Sequence, residues 1–216
     1  KSGYPLELYT QKVFSSKKYF CEKSALYLDN DLSASREIDL IAVRRYNPHE
    51  SDRYSYGLKF IIECKKSEKP LLVLCEAEKY ENRFNYFFGN EVHFGLNRFV
   101  NFSGCYDLFM SDKHEQKNDL GMFFDKQHLG YSVVQAFSKT DENIYKGIMG
   151  LAKANQFYRR EHIELLRHER VKPHFDQDIN FFMLFVPVLV VDAPIYNVYL
   201  DESGQEQIVE TNWSFL

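Results

Sequence analysis

Asp39, Glu63 and Lys65 are the side chains whose types and spacing suit chemistry in this sequence. They lie in two apolar segments, Arg36-Glu37-Ile38-Asp39-Leu40-Ile41-Ala42-Val43-Arg44 and Leu58-Lys59-Phe60-Ile61-Ile62-Glu63-Cys64-Lys65-Lys66. Each reads as a largely buried strand that carries charge where the apolar pattern should exclude it. Strand side chains alternate between faces, so Glu63 and Lys65 share one face and Cys64 points the other way. A carboxylate and an ammonium near a sheet interior are costly unless they are paired or bound to an ion. Carboxylates on adjacent strands can hold Mg²⁺, which takes oxygen ligands, and the Cys64 main-chain carbonyl offers a further oxygen. Hydrolysis of a phosphodiester needs such a cation and a positioned, partly deprotonated water, which Lys65 can orient. Glu37 competes with Asp39, since parity puts both on one face, but Asp39 lies deeper in the apolar run and is favoured.

The triplet of an acid, any residue and Lys has little weight alone. It recurs at Glu115-Gln116-Lys117, in a polar stretch with no strand pattern that reads as solvated surface. Only the first triplet ends an apolar strand that follows another acid-bearing strand.

The surrounding elements must position these groups. Residues 5–20 read as an amphipathic helix, with Pro5 in the first turn and Leu6, Tyr9, Val13 and Phe14 near one face. Glu7 sits near its start, where an acid also suits the helix dipole. A short strand is expected at 24–29, a polar turn at 30–35, and a polar loop at 46–55 between the two charged strands. Leu71 to Cys75 is apolar, without deciding between helix and strand. Residues 79–130 hold many aromatics among Asn, Gly and charged residues and read as an inserted subdomain, its rings forming a small core in preference to a base-stacking surface. Val133–Phe137 leads into a helix capped at Thr140 or Asp141, with Ile144, Ile148, Leu151 and Ala152 as its stripe. A basic segment with Arg167, His168, Arg170 and Lys172 follows. Strands at 182–191, 196–200 and 207–211 close the chain, the last two as a hairpin through Ser203-Gly204.

At 216 residues the chain is long enough for one α/β domain spanning 1–216 with a real core. Its net charge of −4 argues against a protein that coats nucleic acid through general basicity. Contact with DNA is then expected to come from a local patch, a metal ion, an oligomer or another region of a longer protein. Cys21, Cys64, Cys75 and Cys105 show no Cys-x-x-Cys spacing, which suits free thiols in a reducing cytoplasm. The irregular spacing of Cys64, Cys75, His93 and Cys105 argues against a zinc site. The longest apolar run, Phe181 to Val191, is too short to span a bilayer and contains Pro187.

Taken together these residues resemble the PD-(D/E)XK nuclease superfamily, whose fold is restriction-endonuclease-like. The likeness rests on Glu7 in Gly3-Tyr4-Pro5-Leu6-Glu7, Asp39 in Arg36-Glu37-Ile38-Asp39, Glu63-Cys64-Lys65, and the order helix, three strands, helix, strand (αβββαβ). It covers residues 3–78 well and 131–200 loosely, and leaves out the aromatic insertion at 79–130. Within the superfamily the chain looks most like Mrr-type and other defence-associated bacterial nucleases. The resemblance implies a mixed central β-sheet flanked by helices and an Mg²⁺-dependent endonuclease acting on DNA, with Mn²⁺ able to substitute. It implies Asp39 and Glu63 as metal ligands together with the Cys64 carbonyl, Lys65 as the catalytic lysine and Glu7 as an accessory acid. Gln135 lies near a position where some members carry Gln, although Lys139 breaks their Gln-x-x-x-Tyr pattern. Ile38 replaces the namesake proline. The expected partners are DNA and either further copies of the chain or a larger defence complex, with no membrane. Two alternatives are a nuclease of RNA or branched DNA and a binding module that keeps the fold without turnover.

Overall fold

The computed structural model describes residues 4–46, 54–80, 91–94, 127–137, 142–169, 180–212 and 214. Most of the 79–130 stretch, the Thr140/Asp141 cap, Cys105 and His174 lie outside them. The chain is of mixed α/β class. Its elements run α1 (Tyr4–Ser16), β1 (Phe20–Asp29), β2 (Ala34–Tyr46), β3 (Tyr54–Lys66), β4 (Leu71–Tyr80), β5 (Glu91–Phe94), β6 (Gln127–Gln135), α2 (Glu142–Glu169), β7 (Asn180–Asp192), β8 (Ile195–Leu200) and β9 (Glu206–Thr211).

Two sheets result. The first has the order β1-β2-β3-β7-β5, with β1, β2 and β3 an antiparallel meander and β7 parallel to β3. The second, not foreseen from the sequence, has the order β6-β4-β8-β9. The undecided run at Leu71 is the strand β4 that anchors it. The parallel pair β3/β7 continues through short links into the parallel pair β4/β8. The expected closing hairpin is present, with Gly204 at φ +79° in its turn.

Helix α1 covers one face of the first sheet and α2 the other. Leu6 and Phe14 of α1 pack on Leu40, Ala42, Leu58, Phe60, Ile62 and Cys64. The inward stripe of α1 is therefore the buried Thr10 with the partly buried Leu6 and Phe14, whereas Tyr9 and Val13, expected to face inward, are exposed. Thr10 tolerates burial because its hydroxyl donates to the Leu6 carbonyl at 2.8 Å. The helix ends at Ser16, earlier than expected, because Lys18 takes a left-handed φ of 63°. The Lys18 and Tyr19 amides bond the Ser15 and Phe14 carbonyls, a Schellman ending. Tyr19 then stacks edge-on with Phe14 and Phe60, locking the helix to the sheet.

On the other face, Leu151, Ala154 and Tyr158 of α2 meet Ala25, Tyr27, Ile38, Ile41 and Ile61. The buried positions Ile144, Gly147, Leu151, Ala154 and Tyr158 follow helical spacing. Ala152, which the sequence placed in the stripe, is exposed.

Strand alternation breaks at one point. Ile38 and Ile41 both face α2, while Leu40 and Ala42 face α1. Simple alternation is thus lost between Ile38 and Leu40, beside Asp39. On β1, Ser24 stands opposite Asp39, between the pairs Lys23↔Leu40 and Ala25↔Ile38, and has a left-handed φ of 52°. The exposed Ser24 side chain leaves the kink as a backbone demand. Ser24→Gly is expected to keep or raise stability in urea denaturation, and Ser24→Val to lose about 1–2 kcal/mol. A fully tolerated valine would contradict the need for this conformation.

Candidate active site

β2 and β3 bond each other as far as the pair Leu40↔Ile62 and then part. Below that point β2 continues along β1, and β3 continues along β7. Asp39 and Glu63 face each other across the notch so formed. The Cys64 N–H donates to Asp39 Oδ2 at 2.6 Å, so the carboxylate of one strand accepts a main-chain N–H from the other. The Asp39 side chain here does the work that a ladder bond does elsewhere in the sheet.

Lys65 Nζ donates to Glu63 Oε1, so the two share a face as expected. The lysine stem lies against α2, where a Cβ at Gly147 would sit 3.2 Å from Lys65 Cε and 3.3 Å from Leu189 Cδ1. Glycine there costs helix propensity but leaves room for the lysine. Cys64 points the other way, its thiol directed at Thr10 Oγ1 of α1. Burial pushes that thiol up to about 11, which makes it an inert core group and not a soft metal ligand.

Burial is the main force raising the Glu63 carboxyl above its ordinary value. The Lys65 hydrogen bond opposes it and the Asp39 carboxylate adds to it. Glu7 on α1 is raised first by burial, then by Asp39 and Glu37, with Lys65 working against them. Glu7 thus falls within electrostatic reach of Glu37, Asp39 and Lys65, and Glu63 within reach of Asp39 and Lys65.

Gln135 does not join them. It is the last residue of β6, on a strand instead of a helix, and its amide donates to Ser67 Oγ.

A cleft of about 450 Å³ opens beside the notch. Glu63, Lys65, Glu37, Arg36, Ser35 and Tyr27 line it from the sheet, and Tyr145, Lys146, Met149, Gly150 and Lys153 from α2. The Asp29 side chain, fully buried at the end of β1, fixes the far wall. Lys153 Nζ lies 3.0 Å from both Asp29 oxygens and 2.8 Å from Asp31 Oδ2. Burial raises the Asp29 carboxyl, but the Lys153 ammonium and the Asp31 and Leu32 amides outweigh it, so the net shift is downward. Sequence reasoning missed this pair and the basic lining. One signal was available: Asp29 is in phase with the buried Ala25 and Tyr27 of β1.

Among the described residues no group of three or more His, Cys, Asp or Glu is gathered around a common point. The two carboxylates of the notch nonetheless fit a hard divalent cation, which commonly takes one or two from protein. Glu63, raised by burial and by Asp39, is a group whose charge a cation would favour, and in this structure the Lys65 ammonium fills that role. No helix among the described residues is long and apolar enough to cross a membrane. No protein-family model, curated protein or solved structure matches the chain.

The raised Glu7 has a measurable consequence. An acid whose folded pKa is raised favours the protonated state on folding, so its contribution to stability falls as pH rises through that value. Without divalent ions, Glu7→Gln is expected to gain in melting temperature over the wild type between pH 4 and pH 7. A difference that stays flat or reverses over that range would contradict the crowding of Glu7 by Asp39 and Glu37.

Proposed function

We propose that this protein is a metal-dependent endonuclease that hydrolyses DNA phosphodiester bonds on a restriction-endonuclease-like core. The observation that carries the reading is the notch itself: Asp39 and Glu63 stand opposite each other where the strands part, Asp39 held by the Cys64 N–H and Glu63 by Lys65. The order α1, β1, β2, β3, then α2 and a β7 parallel to β3, supports it as well.

Asp39 and Glu63 would hold Mg²⁺ or Mn²⁺, with the Cys64 carbonyl as a further oxygen. Bound there, the ion supplies charge neutralisation at the scissile phosphate and lowers the pKa of water. Lys65 orients the attacking water and stabilises charge developing on the phosphoryl oxygens, from a stem fixed against Gly147. Glu7, its carboxyl raised, accepts a proton on the water side. The net charge of −4 leads us to place DNA affinity in an oligomer or a larger assembly, and the likeness to Mrr-type nucleases suggests bacterial defence.

Plasmid DNA incubated with the protein and Mg²⁺ or Mn²⁺ is expected to be nicked or linearised, with RNA and branched DNA as parallel substrates. Lys65→Ala and Asp39→Ala should each lower the rate by about 10²-fold or more. Cutting that survives both substitutions, or that persists in EDTA, would overturn the assignment.

A further inference from the structure

We propose that the Tyr27 hydroxyl is a substrate contact, donating a hydrogen bond to a phosphoryl oxygen of a substrate that lies against Lys65. This deepens the nuclease reading and rests on it for the identity of the ligand. Tyr27 is 3% exposed, and its ring belongs to the core under α2, beside Phe157. Its oxygen has a different setting. Tyr27 and Gly150 both line the cleft, and a Cβ at Gly150 would lie 3.7 Å from Tyr27 Oη. The hydroxyl therefore stands at the α2 wall of the cleft. Among the described residues it has no hydrogen-bond partner. Tyr158, a buried tyrosine of the same core, shows how a hydroxyl with a purely structural role is treated: it donates to the Leu26 carbonyl at 2.8 Å. Buried polar groups are almost always paired in that way. Phenylalanine would fill the Tyr27 position with the same ring and no polar atom to satisfy. A hydroxyl kept there and turned to the cleft points to something the cleft holds.

The surroundings select the chemistry of that partner. Burial raises the Tyr27 hydroxyl above its ordinary value; Arg36 and Lys153 work against this, while Asp29 and Glu63 add to it. The hydroxyl thus keeps its proton at neutral pH and serves as a donor. Its partner must be an acceptor, and Glu63 and Lys65 of the same cleft are the groups read above as acting on a phosphodiester. A phenol brings a proton to an anionic oxygen without adding a charge that Lys65 or a bound cation would repel. At about 450 Å³ the cleft is the size of a small-molecule pocket, so one nucleotide can touch Lys65 and Tyr27 together.

The test is a titration of the full chain, labelled with ¹³C at tyrosine Cζ, with thymidine monophosphate in Mg²⁺. The Tyr27 resonance, identified by its loss in Tyr27→Phe, should move as the nucleotide binds. Tyr27→Phe should melt no lower than the wild type, bind the nucleotide about tenfold more weakly, and lose about tenfold in kcat/KM on DNA. Tyr158→Phe, which gives up its bond to the Leu26 carbonyl, should do the reverse, melting lower and binding as the wild type does. A Tyr27→Phe variant that melts lower would show that the hydroxyl serves the fold and would overturn the proposal. So would one with wild-type affinity and turnover, and cleavage by the wild type would then leave the nuclease standing. A protein that cuts nothing under any metal, yet moves Tyr27 on binding the nucleotide, keeps the contact and loses the nuclease. One that neither cuts nor binds loses both.

Discussion

Where β2 and β3 part, the Asp39 carboxylate of one strand accepts the Cys64 main-chain N–H of the other, and the rest of the site depends on that bond. Strands that diverge leave backbone donors needing acceptors, and buried donors without them are expensive. Asp39 takes the Cys64 amide, and Glu63, opposite it, takes the Lys65 ammonium. The bond that closes the notch therefore also fixes the Asp39 carboxylate beside Glu63. A satisfied backbone donor and a positioned acid are met by one side chain.

The flanking elements brace this arrangement from both sides. The Phe14–Tyr19–Phe60 ring cluster holds α1, and with it Glu7, against one face. Asp29 and Lys153 hold α2 against the other, and Gly147 lets Lys65 lie flat beneath it. Like charges gathered in a half-buried place work against folding, and Glu7 and Glu63 are both displaced upward by burial and by neighbouring acids. A protein that only needed this fold would gain stability by losing one of them, a common tension at functional sites.

How much of this was legible in the sequence follows from physical range. Asp39, Glu63 and Lys65 stood out because charge interrupts apolar strands, and the structure sets them side by side. The strands β7, β8 and β9 were legible from their apolar or hairpin patterns. The second sheet was not, since a short apolar run such as Leu71–Cys75 has the same signature in a strand and in a buried helix segment. The face of helix α1 was read only in part. Leu6 and Phe14 pack inward as expected, but a threonine satisfied by its own helix carbonyl takes the core position between them while Tyr9 and Val13 stay outside. Alternation breaks beside Asp39 because the facing strand turns at Ser24 with a left-handed φ, which no periodicity encodes. Asp29 and Lys153 lie 124 positions apart, so their pairing has no local trace.

The central claim is that Asp39 and Glu63 together form a cation site. Crystals of the full chain grown with Mn²⁺ and measured at the manganese absorption edge test it directly. The account predicts an anomalous peak between the Asp39 and Glu63 carboxylates, lost in Asp39→Ala, with Lys65 Nζ moved off Glu63. Manganese bound elsewhere, or a notch that keeps its Lys65–Glu63 pair at saturating metal, would contradict it.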